Sequence, residues 1–143
     1  MKRIDLAYLA GILDGEGSIC ITRTKPKGLY KHSRYTLAIN ITNTNEWLIR
    51  WIDFNFKGTI NRTRLPSRRD CWRWQVHSSK AVEFLRLLLP YLKIKKPQAE
   101  LALMFLARRK GHHWAMKKGK TDEQLALEEA DRILMSKMNK GVV

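Results

Sequence analysis

Ten polar side chains at alternating positions along the chain have the chemistry that reads nucleic-acid bases. Arginine pairs with guanine, asparagine or glutamine pairs with adenine, and threonine bonds to either base. An exposed sheet face without such a task would carry more Glu and Lys, so this composition favours nucleic-acid binding. The ten are Thr22, Thr24, Arg34, Thr36, Asn40, Asn61, Thr63, Arg73, Gln75 and His77.

Basic residues surround these ten positions. The two predicted turns beside them contribute Lys25 and Lys27 in the first and Arg68 and Arg69 in the second, which we expect to contact phosphates. The whole chain has 28 Lys and Arg against 13 Asp and Glu, a net charge of +15 and a pI near 10.2. Residues 22–80 alone carry +10, from 13 bases and 3 acids, whereas residues 1–21 carry −1. This charge indicates a phosphate-rich partner, with nucleic acid ahead of a membrane surface.

The elements that must position these side chains follow from periodicity. Alternation of polar and apolar residues predicts strands at 18–24, 34–42, 58–65 and 71–78. Helical spacing and capping residues predict helices at 4–14, from 46 onward, 80–89, 97–109 and 121–138, with a basic loop at 108–120. We expect one domain, 1–143, of the α+β class. Its two hairpins would form a curved antiparallel four-stranded sheet backed by helices, with Trp47, Trp51, Trp72 and Trp74 packed beneath it.

Residues 9–17, between the first helix and the first strand, read Leu-Ala-Gly-Ile-Leu-Asp-Gly-Glu-Gly. This nonamer resembles the signature of the LAGLIDADG homing endonucleases, with five of nine positions identical. A second segment, Leu-Lys-Ile-Lys-Lys-Pro-Gln-Ala at 92–99, is similar to the family's lysine segment ahead of a helix. The resemblance implies an αββαββα saddle that binds double-stranded DNA. It also implies site-specific cleavage of a long pseudo-palindromic target with 3′ overhangs, which promotes intron or intein mobility.

The resemblance also assigns roles to single residues. Glu16, at the eighth motif position, matches the family's metal-binding acid, and the carbonyl of Gly15 would be a second ligand. Lys95 matches the active-site lysine, with Lys93 or Lys96 as the alternatives. The metal implied is Mg²⁺, with Mn²⁺ tolerated, because oxygen ligands suit such hard cations.

Two polar positions around the second helix are assigned with alternatives. Asn43 matches a catalytic polar residue that orients water, and it is equally a candidate N-cap for the second helix. Trp47 stands where the family places a further basic residue, so that role is either unfilled or filled by Arg50.

The resemblance also implies a homodimer, because family members with one copy of the motif act as pairs and this chain has one copy. We expect two motif helices to pack through Ala7, Ala10, Gly11 and Asp14, because small residues let two backbones approach closely. Asp14 is also expected to stabilise the turn at the end of the first helix. A twofold dimer implies a partly palindromic target.

A second class of function stays open at this point: a binder on the same scaffold that does not cleave. It would be an RNA maturase acting on intron RNA, or a DNA regulator. Glu16 and Lys95 favour the enzyme, because a pure binder needs no acid in its groove.

The remaining sequence features concern the compartment. The N-terminus lacks the pattern of a signal peptide, and no apolar run approaches the ~20 residues of a membrane span. Cys20 and Cys71 have neither zinc-ligand spacing nor a disulfide framework. We therefore expect a soluble intracellular protein without a membrane partner. Cys20 would contact DNA only as a small residue on the base-reading side.

Overall fold

A computed structural model describes residues 1–28, 32–64, 66, 69–110 and 120–141 of the 143-residue chain. These residues contain five α-helices, one short 3₁₀ helix and four β-strands. In chain order they are α1 (Arg3–Glu16), β1 (Gly17–Thr24), β2 (Arg34–Asn43), α2 (Glu46–Asn55), β3 (Thr59–Thr63), β4 (Cys71–His77), α3 (Ser78–Leu88), the 3₁₀ helix (Leu89–Tyr91), α4 (Lys96–Lys110) and α5 (Asp122–Asn139).

The four strands form one antiparallel sheet in the order β1-β2-β4-β3. The two predicted hairpins are therefore joined through β2 and β4, where Ile41 lies opposite Trp74. β1 and β3 form the edges. This architecture confirms the predicted α+β class and its four-stranded antiparallel sheet with helices on one face.

The core lies between the sheet and the helices. Leu37, Ile39 and Ile41 of β2 are fully buried, as is Trp74 of β4. The Trp74 ring packs 4.9 Å from that of Phe84 in α3, and its Nε1 donates to the carbonyl of Phe56 at 3.0 Å. Each such large side chain contributes about 1.5–3 kcal/mol when it is removed from water. Because only alternate strand residues are apolar, the helices cover one face and leave the other open.

Two helices begin with the caps that their sequences indicate. Asn45, not Asn43, is the N-cap of α2, and its Oδ1 accepts from the Leu48 N–H at 3.2 Å. Thr121 begins α5 with a reciprocal capping box to Gln124, at the predicted start of this helix. Of the predicted loop 108–120, residues 108–110 continue α4 and residues 111–119 lie outside the described ranges.

The prediction for the tryptophans is correct for Trp74 and wrong for Trp47. Trp47 is 68% exposed and stacks on Trp51, with ring centroids 6.2 Å apart. It lies on the solvent side of α2 because Leu48, Ile49 and Ile52 already occupy the buried side of that helix.

The last helix closes the domain along the edge of β1. The Asn139 amide donates to the carbonyl of Ile19 at 2.8 Å, and the nearly buried Glu128 accepts from Arg109 at 2.8 Å. Asp131 pairs with Arg108 at 2.6 Å. The Asn139 contact holds α5 against β1, and the two ion pairs hold α5 against α4. None of the helices in the described ranges is long and apolar enough to cross a membrane.

Candidate functional site

The open face of the sheet collects all ten of the base-reading side chains expected from the sequence. Strand register places them in cross-strand rows on this face: Thr24 opposite Arg34, Thr22 opposite Thr36, Asn40 opposite Gln75, Arg73 opposite Asn61, and His77 and Thr63 beside Ala38 and Cys71. Cys20 is on the same face. Lys25, Lys27 and Arg69 are exposed just beyond the strands, and Arg68 falls outside the described residues.

Three hydroxyl residues of the open face were missed by the sequence-based prediction. Ser18, Thr42 and Thr59 follow the same register as the others. The alternation that identified Thr22 and Asn40 extends to Ser18 and Thr42, so the signal was present in the sequence. Of the strand residues that face this side in the described ranges, none is an Asp or a Glu. The face is therefore polar to basic throughout.

Asn40 and Cys20 contact each other on the open face, and Asn40 also contacts Ser18. The Asn40 Nδ2 donates to the Ser18 hydroxyl at 3.4 Å and lies 3.7 Å from the Cys20 sulfur. The buried Oδ1 of Asn40 has no hydrogen-bond partner among the described residues. Burial raises the pKa of the Cys20 thiol, while the Asn40 hydrogen bond opposes that shift. The thiol is thus protonated at neutral pH and presents a small neutral surface.

A second set of residues meets at the C-terminal end of α1. Glu16 is the last residue of this helix and is exposed. Its carboxylate accepts a hydrogen bond from the amide of Asn43, the last residue of β2. The Asn43 Oδ1 accepts in turn from the Asn45 N–H at 2.7 Å, which fixes the orientation of the amide. The structure therefore brings Glu16 and Asn43 together although they are 27 residues apart.

Lys95 reaches the same helix end from the other side. Its ammonium donates to the backbone carbonyl of Asp14, where the helix presents its negative pole. The two oxygens of the Asp14 carboxylate accept from the Lys93 N–H and the Lys95 N–H, each at 2.8 Å. Lys95 thus lies beside the turn that carries Gly15 and Glu16.

The ninth motif residue, Gly17, is required by close packing. A Cβ there would lie 2.9 Å from the carbonyl oxygen of Leu13 and 2.5 Å from its Cδ1. Any other residue would displace the junction between α1 and β1 and, with it, Glu16. Gly11 and Gly15 are different, because a Cβ at either would meet nothing within 4 Å in this chain.

The expected interface residues on α1 divide between two sides of the helix. Ala7 and Gly11 are exposed, as predicted for a surface that meets another copy. Ala10 is fully buried in the core of its own chain, and Asp14 is 9% exposed and bonded to residues 93 and 95. Both side chains are therefore already packed within their own chain, and their part in an interface between two copies stays a prediction.

Arg50 does not lie among these residues. Its guanidinium bonds to Glu46 at 2.7 Å and lines a surface cleft with Ile60, Arg62 and Trp72. On the other side of α2, Trp51 packs against Tyr8 of α1, with ring centroids 5.9 Å apart. The helix therefore turns Trp51 toward α1 and Arg50 toward the cleft beside β3 and β4.

Fold and site together define an α+β domain with a carboxylate at the edge of a basic polar face. No protein-family model matches the chain. DNA endonuclease I-CreI of Chlamydomonas reinhardtii is 32% identical over 102 residues, which cover 71% of this chain and 61% of that protein. The chain thus matches about three fifths of the length of this relative.

Solved structures share the fold over nearly the whole chain. The homing endonuclease I-CvuI in complex with a DNA target has a TM-score of 0.65 at 20% identity, and the match covers 96% of both chains. The archaeal intron-encoded homing endonuclease I-Vdi141I, complexed with DNA, has a TM-score of 0.75 at 16% identity, over 94% of this chain and 84% of that one. The LAGLIDADG homing endonuclease I-SmaMI, bound to cleaved DNA, has a TM-score of 0.74 at 18% identity, over 97% of this chain and 45% of that one. With its nonamer, this chain is similar in sequence to the endonuclease I-CreI and similar in fold to LAGLIDADG homing endonucleases.

Proposed function

We propose that this chain is a site-specific endonuclease that cuts both strands of a long, partly palindromic DNA target and leaves 3′ overhangs. Such cleavage would promote the mobility of an intron or an intein. The observation that carries the proposal is the Glu16 carboxylate, held by Asn43 beside Lys95 at the edge of a face whose described strand residues include no acid. A carboxylate there would repel phosphate, so it serves no purpose in binding alone. The relatives I-CreI and I-SmaMI, an endonuclease and a protein bound to cleaved DNA, support the same activity.

The oxygen atoms at the end of α1 suit a hard divalent cation. Glu16 is exposed, and Gly15, also exposed, adds a backbone carbonyl. Mg²⁺ prefers such oxygen ligands together with water and phosphate, and Mn²⁺ accepts the same set. I-CvuI was crystallised with the I-CreI target in the presence of Mg²⁺, where the DNA was not cleaved, and with its own target in the presence of Ca²⁺. When bound, Mg²⁺ would polarise the scissile phosphate and lower the pKa of a water nucleophile.

The chain's own residues would then orient the reacting groups. Asn43 holds the Glu16 carboxylate through its Nδ2 and is itself fixed through its Oδ1, so it also limits where a water can bind. The Lys95 ammonium, part-buried at the carbonyl of Asp14, supplies a positive charge close to the phosphate. On the open face, the polar rows would read base edges, while Lys25, Lys27 and Arg69 contact phosphates.

Each strand of the duplex needs its own Glu16, and we propose that a second copy of the chain supplies it. The exposed side of α1 carries an apolar stripe at helical spacing: Ile4, Ala7, Tyr8, Gly11 and Gly15. Ile4 is 74% exposed and Tyr8 is 56% exposed. The Tyr8 ring packs against Trp51, which stacks in turn on the exposed Trp47. A glycine in a helix costs about 1 kcal/mol relative to alanine. Since this chain leaves room for a Cβ at both glycines, a second helix packed against them accounts for their presence.

The test is the selection of cleaved and of bound sites from a randomised duplex library, with Mg²⁺ and with Ca²⁺, for wild type and for Glu16→Gln. We expect wild type to cut a long, partly palindromic site with Mg²⁺. Glu16→Gln should bind that site with unchanged affinity and leave it intact, because only the metal-binding charge is lost.

Glu46→Gln is the matched control, because Glu46 is a partly exposed glutamate at the start of α2 whose partner is Arg50. It should cleave like wild type. Tight binding by wild type without cleavage under any metal would overturn the nuclease. Structured intron RNA and operator DNA would then be the next ligands, for a maturase or a regulator.

A further inference from the structure

We propose that Asp14 is a positioning residue for cleavage, which acts by fixing the segment that carries Lys95. This inference rests on the proposed nuclease function and deepens it. It also selects Lys95, rather than Lys93 or Lys96, as the lysine that serves the site.

The contacts of Asp14 join two distant parts of the chain. Its Oδ2 accepts from the Lys93 N–H and its Oδ1 accepts from the Lys95 N–H, both at 2.8 Å and across 79 and 81 residues of sequence. The side chain is only 9% exposed. Two N–H groups from the segment before α4 therefore converge on one nearly buried carboxylate of the motif helix.

The carboxylate form of Asp14 suits this role, because two backbone N–H groups donate to its two oxygens. An ionised carboxylate offers only acceptors, which matches a set of donors. An asparagine of the same shape would turn an NH₂ group toward one of those donors and leave it without a partner.

Lys95 is the lysine of this segment that is held at both ends. Its backbone N–H bonds to the Asp14 carboxylate, and its ammonium bonds to the Asp14 carbonyl, one residue before Gly15. Lys93 and Lys96 have exposed side chains, and neither ammonium has a hydrogen-bond partner within the described residues. A shift of the segment by about 1 Å would displace the Lys95 charge from the reacting phosphate, and such a displacement can cost ~100-fold in rate.

The experiment is a double-mutant cycle in the full-length protein on its selected DNA site. Single-turnover cleavage rates and DNA dissociation constants are measured for Asp14→Asn, for Lys95→Met and for both changes together. We expect Asp14→Asn to cleave ~100-fold more slowly with unchanged DNA affinity. In the Lys95→Met background, the same change should cost little further, because its effect passes through Lys95.

Asp53→Asn is the matched control, because the Asp53 carboxylate also accepts from a backbone N–H, that of Gly58 at 2.9 Å, on the far side of α2. It should leave the cleavage rate unchanged. Equal losses from Asp14→Asn in both backgrounds would overturn the positioning role and leave Asp14 as a structural residue. Asp14→Glu keeps the charge in case Asp14→Asn does not fold, and it should cleave at an intermediate rate.

A readout without cleavage separates this inference from the nuclease itself. Hydrogen exchange of the amides of residues 93 and 95 should accelerate in Asp14→Asn and not in Asp53→Asn. If wild type never cleaves, the nuclease proposal fails whatever the exchange shows. If wild type cleaves and those amides exchange at the wild-type rate in Asp14→Asn, the positioning proposal alone fails.

Discussion

The open face of the sheet and the C-terminal end of α1 are built in different ways. On the open face, many exposed polar side chains stand in rows, and few of them bond to one another. At the end of α1, Asp14, Glu16 and Asn43 each take part in hydrogen bonds to residues that are distant in sequence. A surface with many independent contacts loses affinity in small steps when one contact is removed. A site that depends on a few fixed groups loses its rate in one large step.

The largest effect should follow from a change on the exposed side of α1, and it tests whether the α1 site is complete in one chain. Gly11→Leu should fill the space that a partner helix needs, so the protein should become monomeric and double-strand cleavage should fall below detection. The single chain should still fold, because a Cβ at Gly11 meets nothing within 4 Å and leucine favours a helix over glycine. Analytical ultracentrifugation and circular dichroism measure the two parts of this prediction.

Ala126→Leu is the control for that experiment, since Ala126 is an exposed small residue of a different helix, α5. It should remain dimeric and active. A dimer that survives Gly11→Leu with full cleavage would place the interface elsewhere, and the α1 end would then need another source for its second carboxylate.

The same contrast explains what the sequence could predict. The bounds of every strand were predicted to within one or two residues, because polar and apolar residues alternate along each strand and this pattern can be read from the sequence. The contacts of Asp14 with residues 93 and 95 have no periodic signal, since they depend on how the chain folds back across about 80 residues.

The errors have a common physical source as well. α1 has small or apolar residues on more than one side, so the sequence did not show that Ala10 faces the core while Gly11 faces solvent. Trp47 was also predicted to be buried, but its neighbours Leu48 and Ile49 fill the buried side of α2. The residue type alone indicates burial, but the orientation of the helix decides which of several apolar residues is covered.

A smaller, graded effect is expected on the open face. Arg73 is exposed in β4, in a row with Thr42 and Asn61. Arg73→Ala should weaken DNA binding by about 1–3 kcal/mol and relax the preference at one base pair, while the cleavage rate of bound DNA stays unchanged. Site selection from the randomised library measures both, and the salt dependence of binding separates base contacts from phosphate contacts.

Arg86→Ala provides the comparison, because Arg86 is exposed on α3, away from the open face. It should leave the base preference intact. If Arg86→Ala weakens binding as much as Arg73→Ala, the affinity comes from overall charge and the rows of the open face do not read bases.

The smallest effect should come from Glu129 of α5, which belongs to neither region. Hydrogen bonds from Arg132 first, and then from the Tyr35 hydroxyl, lower the pKa of Glu129 from 4.5 to about 2, and the charges of Arg132 and Arg23 act in the same direction. A carboxyl group whose pKa is lower in the folded state stabilises the fold above its unfolded pKa, and this contribution is lost as the pH falls from about 4.5 toward 2.

Glu129→Gln should therefore lower the free energy of unfolding at pH 7 by about 0.5 kcal/mol, the usual value for a partly exposed ion pair. The difference from wild type should disappear near pH 2, as urea unfolding at several pH values would measure. Cleavage and base preference should not change, because these contacts hold α5 against the covered side of the sheet. A loss of cleavage in this variant would show that α5 also supports the end of α1, and the separation of the two regions would then be incomplete.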